Sequence, residues 1–210
     1  MKIFLSVTVI VLFAFISEAK EFRGVLAYGI GSVSFDDGEE LSAEVSQLGF
    51  SGTYFFNESG PFLGFSFAQV EIGDYKLDGS YFPYMQDQES DNKSFTVGFR
   101  GGQYNEPQFF GAITLERSDV DEGDDESSTS FTVGVEKSTQ SRRLEFNAGY
   151  TSGDDIDTYG IQIVGVFYPT EQIGFGATAS YFIGDGTMDE YEVDVTGWSI
   201  GIGIELRLRK

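Results

Sequence analysis

The chain has 210 residues and a formal net charge of −21, with 34 acidic against 13 basic side chains, 27 glycines, 21 phenylalanines and 11 tyrosines, and neither histidine nor cysteine. The missing cysteine excludes disulfides, thiolate metal sites and a cysteine nucleophile, and the missing histidine excludes every Ser-His-Asp arrangement. A pI near 4.1 argues against nucleic acid, whose phosphates are held by Lys and Arg, and 16% aromatic residues argue against a disordered acidic chain.

Lys2 precedes an apolar run from Ile3 to Ile16, which ends at Ser17-Glu18-Ala19. A basic start, a short apolar core and small residues before a cleavage point describe a secretory signal peptide over residues 1–19. The run is too short to cross a bilayer as a helix. Residues 20–210 are then the mature chain.

From residue 20 onward the recurring period is two, the mark of strands with unlike faces. Phe22, Leu26, Tyr28 and Ile30 form the first apolar set, followed by Leu48, Phe50, Tyr54 and Phe56, and by Leu63, Phe65 and Phe67. Phe95, Val97 and Phe99, then Ile113 and Leu115, then Phe131, Val133 and Val135 continue it. Leu144 to Tyr150, Tyr159 to Phe167 and Ile173 to Tyr181 follow. The last set is the clearest: Trp198, Ile200, Ile202, Ile204, Leu206 and Leu208 alternate with Ser, Gly, Glu and Arg. This predicts ten strands.

Short turns at 57–61, 103–107, 138–142 and 168–172 alternate with longer acidic connections at 36–41, 74–92, 119–128, 153–158 and 184–194. The acidic connections hold 23 of the 34 acidic residues and one basic residue, Lys76. Lys20, Arg23, Lys137, Arg142, Arg143, Arg207, Arg209 and Lys210 gather at the other end. A closed antiparallel up-and-down barrel produces such an alternation of rims. The second face is mostly Gly, Ser, Thr, Ala, Gln and Asn, which suits a narrow polar lumen better than the charged exterior of a soluble barrel. Aromatics beside the short turns (Tyr54, Phe55, Phe56 and Phe62; Tyr104, Phe109 and Phe110; Phe167 and Tyr168) read as an interfacial girdle. The expected fold is all-β, a transmembrane barrel of about ten strands, with Trp198, Ile200, Ile202, Ile204 and Leu206 facing lipid.

Together the signal peptide, the alternating strands, the unequal rims and the terminal strand from Trp198 to Leu208 resemble the small outer-membrane β-barrel proteins of Gram-negative bacteria. The resemblance spans the mature chain and is architectural. It implies residence in the outer membrane, contact with its lipid and lipopolysaccharide, and handling by the barrel-assembly machinery. In that family the final strand commonly ends in an aromatic residue. This chain ends Arg209-Lys210.

Strand parity places Arg100, Glu116, Glu136, Glu145, Glu205 and Arg207 in the lumen. Two readings follow. In the first the protein is porin-like, with a narrow cation-preferring passage below an acidic mouth. In the second it is a structural or surface-interaction barrel whose charges plug the lumen and whose acidic loops bind divalent ions, lipopolysaccharide or a partner. The stretch Asp119, Asp121, Glu122, Asp124, Asp125 and Glu126 offers oxygen ligands for a divalent cation, although its spacing is not that of an EF-hand. No cofactor, no nucleic-acid partner and no catalysis are expected, since nothing singles out a tuned acid–base pair.

Overall fold

A computed structural model describes residues 20–81, 87–120, 125–188 and 191–210. The strands are β1 Glu21–Asp36, β2 Glu40–Phe55, β3 Gly60–Leu77, β4 Ser80–Tyr81, β5 Gln88–Gly101, β6 Pro107–Val120, β7 Glu126–Ser138, β8 Arg142–Ser152, β9 Ile156–Phe167, β10 Ile173–Met188 and β11 Tyr191–Arg209. Each long strand pairs antiparallel with the next, and β1 pairs with β11 from Glu21 opposite Arg209 to Asp36 opposite Asp194, which closes a ten-strand barrel. The two-residue β4 pairs only with the end of β3, across an Asp78-Gly79 turn in which both residues have positive φ. Asp-Gly is the sequence that such a tight hairpin turn favours.

The alternation sorts as its period requires. Large apolar side chains of every barrel strand are exposed on the outer face, among them Leu26, Phe50, Phe67, Val97, Ile113, Phe131, Leu144, Ile163, Phe175 and Ile202. In water this continuous belt would be untenable. In lipid it is the required exterior, and closure pairs the backbone groups that hydrocarbon could not satisfy. The signal peptide expected over 1–19 lies outside the described residues.

Two expectations are corrected. The acidic connections are shorter than the sequence suggests: β1 and β2 are joined by residues 37–39, and β8 and β9 by residues 153–155. Much of the acidic sequence is instead strand. A bilayer needs about 9–11 residues per tilted strand, whereas β1, β2 and β10 have 16, β3 has 18 and β11 has 19. The wall therefore projects beyond the lipid on that side. There the outward face meets water instead of lipid, so the outward apolar run of the belt stops and carboxylates take its positions. The aromatics beside the short turns also divide. Phe109 and Phe167 face outward, whereas Phe55, Phe62 and Phe110 line the lumen, with Tyr168 buried beside its charged floor. Successive side chains of a strand point to opposite faces, so neighbours such as Phe109 and Phe110 on β6 divide between lipid and lumen.

Several inward rings lie on a cross-strand glycine: Phe62 on Gly98, Phe110 on Gly134 and Phe182 on Gly197. A Cβ at Gly98 would overlap the Phe62 ring and approach the Gly111 carbonyl to 2.7 Å. Gly98→Val is accordingly expected to cost about 1–3 kcal/mol by overpacking, read as a lower urea midpoint for loss of the folded, heat-modifiable gel band.

Candidate functional site: the lumen

The lumen is built from inward positions that succeed one another in layers. At the acidic end a cavity of about 770 Å³ is lined by Asp36, Asp37, Asp154, Asp155, Asp157, Asp185, Glu192 and Asp194, with no basic residue among its lining. Round the outer face of the same rim, at the parity of Tyr159, Ile183, Trp198, Ile30 and Leu48, Asp157, Asp185, Asp194, Asp36 and Glu40 form one cross-strand row over β9, β10, β11, β1 and β2. Like charges directly opposite repel one another, so this rim carries a strong negative potential.

Below it the inward row Ala43, Val33, Gly197 and Phe182 is apolar, and Ala43, Val193 and Val195 are buried. Val33, Phe182, Val193 and Val195 add bulk and apolar character to a lining expected from the sequence to be mostly Gly, Ser, Thr, Ala, Gln and Asn. A middle cavity of about 320 Å³ follows, lined by Gly29, Gly31, Gly49, Gly201, Ala27, Ala68, Gln47, Gln162, Ser66, Ser199 and Thr178 among others. Beneath it a cavity of about 350 Å³ opens onto the charged floor and shares Val25, Ser51, Gln162 and Thr178 with the middle one.

The floor is a set of buried ion pairs. Arg23 on β1 donates through both terminal nitrogens to the two carboxylate oxygens of Glu136 on β7, at 2.5 and 2.8 Å. Its Nε donates to Glu21. β1 and β7 are five strands apart in either direction round the ring, so this bidentate pair spans the barrel. Arg143 donates to Glu205 at 2.5 Å and to Glu145 at 2.6 Å. Arg100 stands 3.6 Å from both Glu21 and Glu136 and lies over the Phe55 ring at 3.8 Å. The Tyr168 hydroxyl donates to Glu205. Three arginines thus meet four glutamates. The pairing is well satisfied but incomplete: Arg100 Nε and Nη1 and Arg143 Nε are buried without a hydrogen-bond partner in the protein.

Arg100 also lines the depression of about 440 Å³ on the short-turn side, and it is the one lining residue common to that depression and the floor cavity. This side chain is the partition between them. Beside the floor, Arg207 donates to the carbonyls of Thr139 and Gln140 at 2.9 and 2.8 Å and stacks over Tyr168. Gln108 donates to the Glu58 carbonyl at 2.9 Å. These two side chains tie the short turns across the end of the lumen.

Of the residues placed in the lumen by parity, Arg100, Glu136, Glu145 and Glu205 come together in the floor. Glu116 stands apart, receiving a hydrogen bond from Asn92 at 3.2 Å. Arg207 serves the turns rather than the acids. Glu21, Arg23, Arg143 and Tyr168 belong to the floor as well. Arg23 and Arg143 had been placed with the basic rim, yet each follows the parity of its strand: Arg23 lies on the Val25 and Ala27 side, and Arg143 on the side opposite Leu144. Counting inward from the apolar partners would have found both.

The expected cation stretch is only partly within the described residues, since Asp121, Glu122 and Asp124 fall outside them. Asp119 accepts from Lys93 and Arg117, and Asp125 accepts from Arg117. Glu126 opens β7. Among the described residues no group of three or more acidic side chains converges as a metal site. Trp198, Ile200, Ile202, Ile204 and Leu206 all lie on the exposed outer face of β11.

No family model and no curated protein matches the chain. Solved structures do. An outer membrane channel from Pseudomonas putida F1 is 10% identical with a TM-score of 0.52, over 90% of this chain and 96% of that one. The translocator domain of the autotransporter NalP from Neisseria meningitidis is 9% identical with a TM-score of 0.47, over 97% and 96%. Neisserial surface protein A is 16% identical with a TM-score of 0.44, over 88% and 96%. Identities this low speak for the fold alone. With its closed ten-strand sheet, its apolar outer belt and its charged lumen, the chain has the fold of the integral β-barrel proteins of Gram-negative outer membranes.

Proposed function

We propose that the protein is a non-enzymatic structural barrel of the outer membrane, plugged at its short-turn end, that presents an acidic rim to the exterior. The observation that carries this reading is the Arg23–Glu136 pair across the diameter, with Arg100, Arg143 and Glu205 packed beside it. A conducting pore keeps its charges in water. Here Arg23, Arg100, Glu136 and Glu205 are each 5% exposed or less, and the apolar collar above them adds a second barrier of the dewetting kind. The acids of the floor are engaged by arginines, which leaves no free carboxylate pair for acid–base work there.

A second reading, a narrow cation-preferring passage, draws on the acidic mouth and on the cavities that share walls below it. A negative mouth concentrates cations whatever lies beneath. Planar-bilayer recording of the refolded protein separates the two. Insertion without conductance is expected; stable, cation-selective steps from the unaltered chain would overturn the plugged reading in favour of the passage.

A further inference from the structure

Between the apolar collar and the charged floor, the middle cavity of about 320 Å³ and the floor cavity of about 350 Å³ adjoin through Val25, Ser51, Gln162 and Thr178. Together they form one chamber of the size that holds a small ligand. Its base has donors to spare. Arg100 Nε and Nη1, Arg143 Nε and Thr178 Oγ1 are buried without a hydrogen-bond partner in the protein, although buried polar groups ordinarily have one. All three side chains line the floor cavity. The acceptors of the floor, by contrast, are taken. Both carboxylate oxygens of Glu136 accept from Arg23, those of Glu145 from Arg143 and Asn147, and those of Glu205 from Arg143 and Tyr168. What the base of the chamber lacks is an oxygen acceptor.

We propose that this chamber binds a small uncharged polyhydroxylated solute of the monosaccharide class. Charge selects against the alternatives. An anion would satisfy the arginines, but it must pass the carboxylate rim and join a floor where Glu21, Glu136, Glu145 and Glu205 already outnumber the arginines. A cation is drawn to the rim but meets no free oxygen on Glu136, Glu145 or Glu205. Either ion would also lose its hydration at the collar of Val33, Phe182, Val193 and Val195, which costs a neutral solute far less. Hydroxyls match the wall, because each both donates and accepts. Ser66 pairs with Ser94 and Ser180 with Ser199, each at 2.7 Å. Two hydroxyls that share one hydrogen bond keep a second hydrogen for a ligand. Gln162 accepts from Asn147 at 3.2 Å, which leaves its amide hydrogens to donate. At the base Phe55, Phe62 and Phe110 offer apolar faces for the C–H side of a ring. A small turn of Arg100 or Arg143 brings its unmet N–H onto a solute oxygen. The chamber is a seat rather than a route, and it stands whether or not the floor conducts.

The test is a saturation-transfer NMR titration of the full refolded chain in a zwitterionic, sugar-free detergent. Glucose, galactose and myo-inositol are the neutral probes, with glucuronate and protonated glucosamine as charged counterparts. Saturable binding of a neutral probe is expected, with both charged sugars weaker by about tenfold or more, because an ion must be desolvated to enter. Thr178→Val keeps the shape and removes the unpartnered hydroxyl. It should weaken the binding by about fivefold while leaving the urea midpoint of the folded gel band unchanged or higher. Thr178→Ser should retain the affinity, and so should Gln69→Ala on the outer face beside Leu48. Failure of all three neutral probes to saturate would leave only water in the chamber and overturn the proposal. A charged sugar bound as tightly as the neutral one, or an unaltered affinity in folded Thr178→Val, would overturn it as well. None of these outcomes bears on the plug, which conductance tests separately.

Discussion

Glu136→Ala is expected to cost about 3–5 kcal/mol of stability, the penalty for removing one partner from a buried ion pair. The loss falls on arginines that stay where they are. Arg23 loses its bidentate acceptor, Arg100 one of its two carboxylate neighbours, and Arg143 a third carboxylate at 3.9 Å. The floor would then hold three guanidinium groups against Glu21, Glu145 and Glu205, with Arg23 reduced to its bond with Glu21. Urea titration of the heat-modifiable band measures the stability change. Bilayer recording of the same variant reads the floor itself: a silent wild type with a leaking Glu136→Ala shows that the pair is the plug. Replacing both Arg23 and Glu136 by methionine should be far milder than Glu136→Ala, since neither charge is left unpaired. A double replacement as costly as the single one would mean that the pair does not act as a unit.

Ile202→Arg is expected to destabilise the barrel by about 2–4 kcal/mol, and Leu208→Arg by about 0–1 kcal/mol, because the cost of a lipid-facing arginine depends on depth. Ile202 is near the centre of the outward run from Trp198 to Leu208 and is 69% exposed to what must be lipid. Leu208 stands at the end of that run, next to Arg209. A change at Gly201 would instead face Thr178 and the middle cavity. Equal penalties at 202 and 208 would contradict a belt spanning hydrocarbon, and with it the membrane placement of the fold.

The chain's own order of residues carried the barrel and its lipid face. From Trp198 to Leu208, from Tyr159 to Phe167 and from Ile173 to Tyr181, a period of two is a local property: each residue's face follows from its neighbour's. The same parity was enough to put Arg100, Glu136, Glu145 and Glu205 inside. It was not followed above the belt, where Asp194 lies between Val193 and Val195, whose buried side chains mark the inward face, and its partner Asp185 lies between two glycines that mark neither. It was not followed at the other end either, where Arg23 and Arg143 lie next to short turns among basic neighbours.

Which inward charges meet was decided only by closure. Arg23 and Glu136 are 113 residues apart, and Arg143 and Glu205 are 62 apart. No local pattern links residues at such distances. They meet because ten antiparallel strands, each placed by pairing with its neighbours, bring β1 face to face with β7 across a lumen narrow enough for one arginine and one glutamate to span. The −21 of the whole chain is likewise resolved only in three dimensions, into a negative rim and a floor where three arginines and four glutamates nearly balance. Composition and periodicity determined that this protein is a membrane barrel. The ring geometry determined that its lumen ends in a plug, because opposite walls become neighbours only when the sheet closes on itself.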